Sequence, residues 1–254
     1  SATNYFSLGS PFLQFYGFLF FYLVGAANLL FSDFFFSIKF VLATGHVTSG
    51  IGMYLLTKSL TNSRQARFVA GIAYVVCFWH TQQVLMMGRL PLSVFYGLLQ
   101  YPFYCIERLR RNRDPLTTAT FGAVTLACLA FTHPGYAFWA TAFPLLHIVV
   151  RITLQSQDFP RSTRRYALGL FFGGLVLASY HLLPMYMERE YVTLTKGLSF
   201  PGFPDPTWRH LILWSNYRVR LFGALPHFYG GYLGLSLILL LIIGGVAAVR
   251  HRPS

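Results

Sequence analysis

The sequence predicts an all-α protein, a polytopic bundle of seven or eight transmembrane helices, on the basis of three observations. First, 55% of the 254 residues are hydrophobic and only 11% are charged, whereas soluble domains carry about 25% charged residues. Second, the apolar residues form continuous runs and do not alternate with polar ones, which favours helices over strands. Third, the basic residues that give the net charge of +13 gather between alternate runs. Because a water-soluble fold could not bury so much apolar surface, the expected solvent is lipid.

The apolar runs have the lengths that membrane spans require. A bilayer core of about 30 Å is crossed by about 20 helical residues, with about 17–25 tolerated. The apolar windows of suitable length are 12–31, 34–57, 68–87, 90–106, 116–132, 134–150, 166–187 and 228–249. The three shortest of these windows together contain four prolines, which predict kinks and frayed helix ends. These prolines are Pro91, Pro102, Pro134 and Pro144.

The connections between windows predict the orientation. Basic residues concentrate on alternate connections, at Lys58, Arg64, Arg67, Arg108, Arg110, Arg111, Arg113, Arg151, Arg161, Arg164, Arg165, Arg250 and Arg252. By the positive-inside rule these connections and the C-terminus are cytoplasmic, in a multi-pass integral membrane protein. The opposite side receives Arg89, the turn at 132–135 and the segment 188–226, which we interpret as an ordered outer loop of a single transmembrane domain covering 1–254. Because most basic residues lie on the predicted cytoplasmic connections, the membrane topology accounts for the positive net charge. The expected partners are therefore membrane lipids and not nucleic acid.

The first window, 12–31, has two interpretations. It is apolar, rich in Phe and Tyr, and followed by a very short exit at Ser32-Asp33. As a true span it would enter from the cytoplasm and make eight spans. As a helix in the outer interface, where aromatic side chains are favoured, it would leave seven.

Five segments resemble parts of a known group of membrane proteins. Residues 9–16, Gly-Ser-Pro-Phe-Leu-Gln-Phe-Tyr, resemble the "G-x-P-x-x-x-F/Y-Y" stretch of the GT-C superfamily. Residues 46–56 and 70–74 resemble two successive spans of the YfhO-like and 6-pyruvoyl-tetrahydropterin-synthase-related integral membrane proteins. Residues 182–188 resemble a later span end of that group, and 229–235 a span start. The resemblance covers most of the chain, and it depends on the order and spacing of motifs that are individually weak.

The resemblance implies a fold and an activity. GT-C proteins are multi-span glycosyltransferases that typically use a polyprenyl-phosphate sugar donor on the outer face. Their usual catalytic carboxylate lies in the first outer loop, just after the first span. This sequence begins at or beyond that point, and no acidic residue precedes Asp33. The resemblance therefore implies either that the first span and its carboxylate are absent from this chain, or that the chain is an inactive relative; it also favours the interfacial placement of 12–31.

Polar residues predicted on the outer side are the candidate site. Glycosyl transfer needs a carboxylate base and a cation that holds the leaving phosphate, and arginine binds phosphate bidentately. The candidate catalytic residues are Glu188, Glu190 and Asp33, and the candidate substrate-binding residues are Arg89, His80, His133 and Arg189. The alternative is that these charges only mark the membrane–water boundary and that the two histidines bond to neighbouring helices.

A second functional interpretation is a non-catalytic structural or pigment- or cofactor-binding subunit of a larger membrane complex. The chain has several histidines in its apolar windows, but no HxxxH or CxxCH pattern and no metal-ligand spacing, so no metal site is predicted and the cofactor stays open. The cysteines Cys77, Cys105 and Cys128 are interpreted as small buried apolar residues. P-loop, GxGxxG, HExxH and GxSxG motifs are absent from the sequence, and a small-solute transporter is a third, weaker interpretation.

Overall fold

The computed structural model describes residues 16–86, 88–154, 159–188 and 242. Within these ranges all regular secondary structure is helical, which confirms the predicted all-α class for this part of the chain. The helices are α1 Leu19–Phe31, α2 Phe34–Leu60, α3 Arg64–Val75, α4 Phe78–Thr81 with a π-helical turn at Gln82–Met86, α5 Pro91–Leu98, α6 Tyr101–Arg110, α7 Pro115–Thr132, α8 Pro134–Leu154 and α9 Arg161–Met187.

The chain divides into two compact units. Ser1–Val75 and Arg89–Lys196 belong to the first, which contains all the helices named above except α4 and its π-helical turn. Val76–Gly88 and Gly197–Ser254 belong to the second. The packing and the sites described below lie within the first unit unless stated.

Four of the described helices are long and apolar enough to cross a membrane. They are Phe34–Leu60, Pro115–Thr132, Pro134–Thr153 and Arg161–Met187. These helices coincide with the predicted windows at 34–57, 116–132, 134–150 and 166–187. Their length and composition indicate a membrane protein, while the predicted total of seven or eight spans goes beyond what the described helices establish.

Two predicted spans are interrupted. The window 68–87 is divided between α3, which ends at Val75, and the short α4, which begins at Phe78. The window 90–106 is divided at Leu99-Gln100, where Pro102 in the first turn of α6 has no N–H to donate to the preceding turn. The second break agrees with the kinks that the prolines predicted; the first contains neither proline nor glycine, and we have no physical account of it.

Helix α1 is too short to be a span of its own. Its 13 residues cover about 20 Å, against the bilayer core of about 30 Å. Phe18, just before α1, stacks on Phe131 near the end of α7, and Phe20, Val24 and Ala27 cluster with Val41 of α2. This length accords with the interfacial alternative for the window 12–31, of which residues 12–15 lie outside the described ranges.

Small residues allow the helices of the first unit to approach closely. A Cβ atom at Gly45 of α2 would lie 2.6 Å from the carbonyl oxygen of Ser93 in α5, and one at Gly122 of α7 would overlap the side chain of Leu170 in α9. Alanines of α7, α8 and α9 then form an apolar cluster. Close packing of small residues is the usual means by which helices associate in lipid, where no hydrophobic drive exists between them.

Contacts bring the basic connections together at one end of this unit, which we call the arginine-rich end. Arg111 donates to the carbonyl oxygen of Ser59, and Arg108 pairs with Asp114 at 3.1 Å, before α7 begins. Arg151, near the end of α8, pairs with Glu107 of α6. Helix α7 then extends for 18 residues, about 27 Å, to His133 at the opposite end.

Candidate functional site

Arg89 and His133, two of the predicted substrate-binding residues, meet on the side chain of Tyr136. The Nη1 atom of Arg89 donates to the Tyr136 hydroxyl at 3.0 Å. The imidazole of His133 stacks on the Tyr136 ring, with centroids 4.4 Å apart and planes at 20°. Phe95 of α5 packs against both rings, at 6.5 Å from His133 and 5.8 Å from Tyr136. We call Arg89, His133 and Tyr136 the Arg89 site.

Local sequence fixes the imidazole in this site. His133 ends α7 in an extended conformation, and Pro134 begins α8, where its missing N–H costs no hydrogen bond. The backbone N–H of Tyr136 donates to Nδ1 of His133 at 3.3 Å, so the imidazole caps the first turn of α8. Because Nδ1 accepts, the neutral imidazole carries its proton on Nε2. Burial lowers the pKa of His133, and the positive charge of Arg89 lowers it further, which favours this neutral form.

The Arg89 site places the guanidinium cation of Arg89 next to the hydroxyl group of Tyr136. The guanidinium carries several donors in one plane and suits a phosphate or carboxylate. Since the Tyr136 oxygen accepts from Arg89, its own O–H can donate to the same anion. The arrangement therefore supports anion binding at the end of the unit that is opposite the arginine-rich end.

Two of the remaining predicted residues, Asp33 and Glu188, lie at helix ends of the first unit. Asp33 is the N-cap of α2, and its carboxylate accepts from the Phe36 backbone N–H at 2.9 Å. Glu188 is half-buried at the C-terminal end of α9, where its backbone N–H donates to the Pro184 carbonyl at 2.9 Å. His80 is buried and belongs to α4 in the second unit. Arg189 and Glu190 lie outside the described residues, as does the rest of the predicted outer loop up to 226.

A second polar cluster, which the sequence did not predict, surrounds Glu107 at the arginine-rich end. The side chain of Glu107 is fully buried. Its Oε1 accepts from His147 Nε2 at 2.8 Å and from Arg151 Nε at 2.9 Å, and its Oε2 accepts from Arg110 Nε at 2.9 Å. One carboxylate thus joins α6 to α8 through the two donors of α8, His147 and Arg151, while Arg110 donates from α6 itself.

These donors keep the carboxylate ionised. Burial raises the pKa of Glu107, but hydrogen bonds from His147 and Arg110 and the charges of Arg151 and Arg110 outweigh it, and the pKa falls from 4.5 to about 2. The signal available in the sequence was a single acid among arginines, at 107 in the stretch 107–113. Its partners on α8 are 40 and 44 residues away, so spacing alone could not identify them.

An apolar groove lies between α7, α8 and α9. It has a volume of about 390 Å³ and begins at Pro134, the residue after His133. Among its lining residues, Thr141 has a hydroxyl that donates to the Ala137 carbonyl at 2.9 Å within α8. Such a lining suits hydrocarbon. Within the described residues no three His, Cys, Asp or Glu side chains gather as a metal site would require.

No protein-family model, no curated protein and no solved structure matches the chain. The resemblance to GT-C proteins therefore rests only on the five sequence segments described above.

Proposed function

We propose that this chain is a multi-pass membrane protein that binds the phosphate of a lipid-linked sugar at Arg89. The arginine-rich end and the C-terminus face the cytoplasm, and the Arg89 site faces the outer side. The associated activity is GT-C-like transfer of sugar from a polyprenyl-phosphate donor, or donor binding alone in an inactive relative. The observation that carries the proposal is the hydrogen bond from Arg89 to Tyr136, which orients a cation beside the stacked His133 ring.

The distribution of charge supports this orientation. Connections rich in arginine meet at one end of the first unit, about 27 Å along α7 from the Arg89 site. Arginine near span ends favours the cytoplasmic side. A phosphate bound at Arg89 then lies on the outer face, where GT-C donors are presented.

The lipid-linked character of the ligand is supported by the apolar groove that begins at Pro134. By helical periodicity the groove residues Ala137, Phe138 and Thr141 lie on the other side of α8 from Tyr136. A long prenyl chain bound at Arg89 therefore passes around the first turn of α8 to reach the groove.

The candidate catalytic bases of the proposal are Glu188 and Glu190. Glu188 is half-buried at the C-terminal end of α9. Asp33 caps α2, Glu107 accepts from three donors, and Asp114 pairs with Arg108, so these three carboxylates have structural roles.

The test measures binding and transfer separately. Purified protein in nanodiscs is titrated with a polyprenyl phosphate, and sugar transfer is assayed with a polyprenyl-phosphate sugar. We expect Arg89→Ala to abolish binding and any transfer, while Arg113→Ala at the other end leaves both unchanged. Transfer that is lost in Glu188→Ala while binding persists would assign the base. No saturable binding by the wild-type protein, or equal binding by Arg89→Ala, would overturn the proposal.

The structural partners of Asp33, Glu107 and Asp114 favour a second candidate, a non-catalytic subunit of a larger membrane complex. In this case, the protein co-purifies with other membrane subunits in mild detergent and shows no transfer. An absorption spectrum of the purified complex distinguishes a pigment-binding from a purely structural subunit.

A further inference from the structure

Six basic side chains are exposed at the arginine-rich end of the first unit. They are Lys58, Arg64, Arg111, Arg113, Arg161 and Arg165, and we call them the cationic surface. Arg111 donates to the carbonyl oxygen of Ser59, which places the turn after α6 against the end of α2 that carries Lys58. Helix α3 then begins at Arg64, shortly after α2 ends at Leu60. The first four of these cations therefore lie at the same end of α2.

The start of α9 adds the remaining two cations to this end. Gly122 of α7 lies against Leu170 of α9, and one turn later Leu126 of α7 lies against Gly174 of α9. Because the two contacts advance together along both helices, α7 and α9 run parallel. Arg161 and Arg165, in the first two turns of α9, therefore lie at the end where α7 begins.

The described acidic residues at this end already have cationic partners outside the cationic surface. Glu107 is fully buried and accepts from Arg110 and Arg151. Asp114 pairs with Arg108 at 3.1 Å. Within the described residues, four members of the cationic surface form no ion pair: Lys58, Arg64, Arg113 and Arg161. The described acids therefore leave the positive charge of the surface uncompensated.

Exposed leucines accompany the exposed cations. Leu60, Leu116 and Leu168 are each at least 50% exposed, and each follows a member of the cationic surface by two or three residues in the sequence. Three helices of span length, α2, α7 and α9, begin or end here. Cations beside exposed leucines at span ends suit the boundary between lipid headgroups and acyl chains. A nucleic acid or a soluble acidic protein would match the charge but not the leucines.

We propose that the cationic surface binds anionic phospholipid headgroups, with the phosphates at its basic side chains and the acyl chains against the adjacent leucines. A guanidinium binds phosphate through parallel N–H donors. A zwitterionic headgroup also has a phosphate, but its ammonium group offsets the attraction. Each Lys or Arg near an anionic membrane surface contributes about five-fold in affinity.

This surface lies at the opposite end of the first unit from Arg89, and its binding of phospholipid is independent of the proposed lipid-linked sugar. In nanodiscs, bilayer phospholipids in large excess occupy the cationic surface. The titration of polyprenyl phosphate therefore still reports on Arg89, and either proposal can fail without the other.

Native mass spectrometry of the full chain in neutral detergent tests the proposal. The protein is titrated with phosphatidylglycerol and, separately, with phosphatidylcholine of identical acyl chains, and bound lipids are counted. We expect the wild-type protein to bind phosphatidylglycerol about ten-fold more tightly or better. The neutralised variant combines Lys58→Gln, Arg113→Gln and Arg161→Gln. It should lose most of this preference while its affinity for phosphatidylcholine stays unchanged.

Two matched variants separate surface charge from other effects. The charge-conserving variant combines Lys58→Arg, Arg113→Lys and Arg161→Lys, and it should keep the preference. A variant with Arg209→Gln, Arg218→Gln and Arg220→Gln, which removes three cations of the predicted outer loop, should keep it too. Equal wild-type affinities for the two lipids would overturn the proposal and leave a soluble acidic partner for this surface. A preference that persists in the neutralised variant, or that falls equally in the outer-loop variant, would also overturn it.

Discussion

The imidazole of His147 on α8 lies 2.8 Å from the carboxylate of Glu107 on α6, Nε2 to Oε1. Arg151 donates to the same oxygen and Arg110 to the other. A fully buried carboxylate with three donors is costly to disturb, since its removal leaves the half-buried cations of Arg110 and Arg151 close together without the negative charge they share. This cluster fixes the relative position of two helices at the arginine-rich end.

Replacing Glu107 with Gln should destabilise the protein strongly. The amide keeps the shape but removes the negative charge to which Arg110 and Arg151 donate, and breaking a buried pair in this way costs about 3–5 kcal/mol. Thermal unfolding in detergent measures the effect. The matched control is Asp114→Asn, because the Arg108–Asp114 pair is exposed and should contribute no more than about 1 kcal/mol. Equal losses in the two variants would contradict the structural role of Glu107.

Adding a methyl group at Gly45 should separate α2 from α5. The new Cβ would lie 2.6 Å from the Ser93 carbonyl oxygen, a backbone atom that cannot rotate away. We expect Gly45→Ala to cost about 1–3 kcal/mol, as overpacking typically does. Gly25→Ala in α1 is the control, since nothing lies within 4 Å of its Cβ and alanine favours a helix over glycine by about 1 kcal/mol. A Gly25→Ala variant that loses as much stability as Gly45→Ala would refute this packing.

His133 should make the protein sensitive to mild acid. Burial, and then Arg89, lower the pKa of His133 below 6.5 in the folded state, so the folded protein binds this proton less readily than the unfolded chain. The resulting stability is present above about pH 6.5 and is lost as the pH falls through the lowered folded pKa. His133→Asn keeps an acceptor for the Tyr136 N–H but does not titrate. Its unfolding midpoint should therefore fall less than that of the wild type between pH 7 and pH 5, and parallel curves would contradict the prediction.

Tyr136→Phe should weaken lipid-phosphate binding without abolishing it. The variant keeps the ring that stacks on His133 and loses only the hydroxyl that accepts from Arg89. A single hydrogen bond to a charged group contributes about 1.5–3 kcal/mol, so Kd should rise by about 10- to 100-fold. Titration in nanodiscs measures this change, with Tyr104→Phe at the arginine-rich end as control. An unchanged Kd would show that the hydroxyl does not position Arg89.

Hydropathy predicted the long helices well and the broken ones poorly. The windows at 34–57, 116–132, 134–150 and 166–187 correspond to span-length helices, because burial in lipid requires both length and apolar composition. The window 68–87 satisfied the same criterion, yet α3 ends at Val75. Apolar composition records affinity for lipid, but it does not record where the helical backbone is interrupted.

The candidate site was predictable only in part. Arg89 and His133 were selected as polar residues at predicted outer turns, and they meet, but only through Tyr136, an aromatic residue among the 16 tyrosines of the chain. Asp33 was predicted as a catalytic candidate, but an Asp before an apolar helix is also a typical N-cap. The structure places Asp33 in that N-cap position. Glu107 was missed because its significance depends on contacts between distant segments.

The proposed function requires that the arginine-rich end and the opposite end of the first unit face different sides of a bilayer. Single cysteines at Asn62, exposed between α2 and α3, and at Ser199, in the predicted outer loop, are introduced after Cys77, Cys105 and Cys128 have been replaced. A membrane-impermeant maleimide is then added to sealed right-side-out vesicles. We predict labelling of Ser199→Cys alone, with Asn62→Cys reacting only after the vesicles are opened; labelling of both positions before opening would contradict the proposed topology.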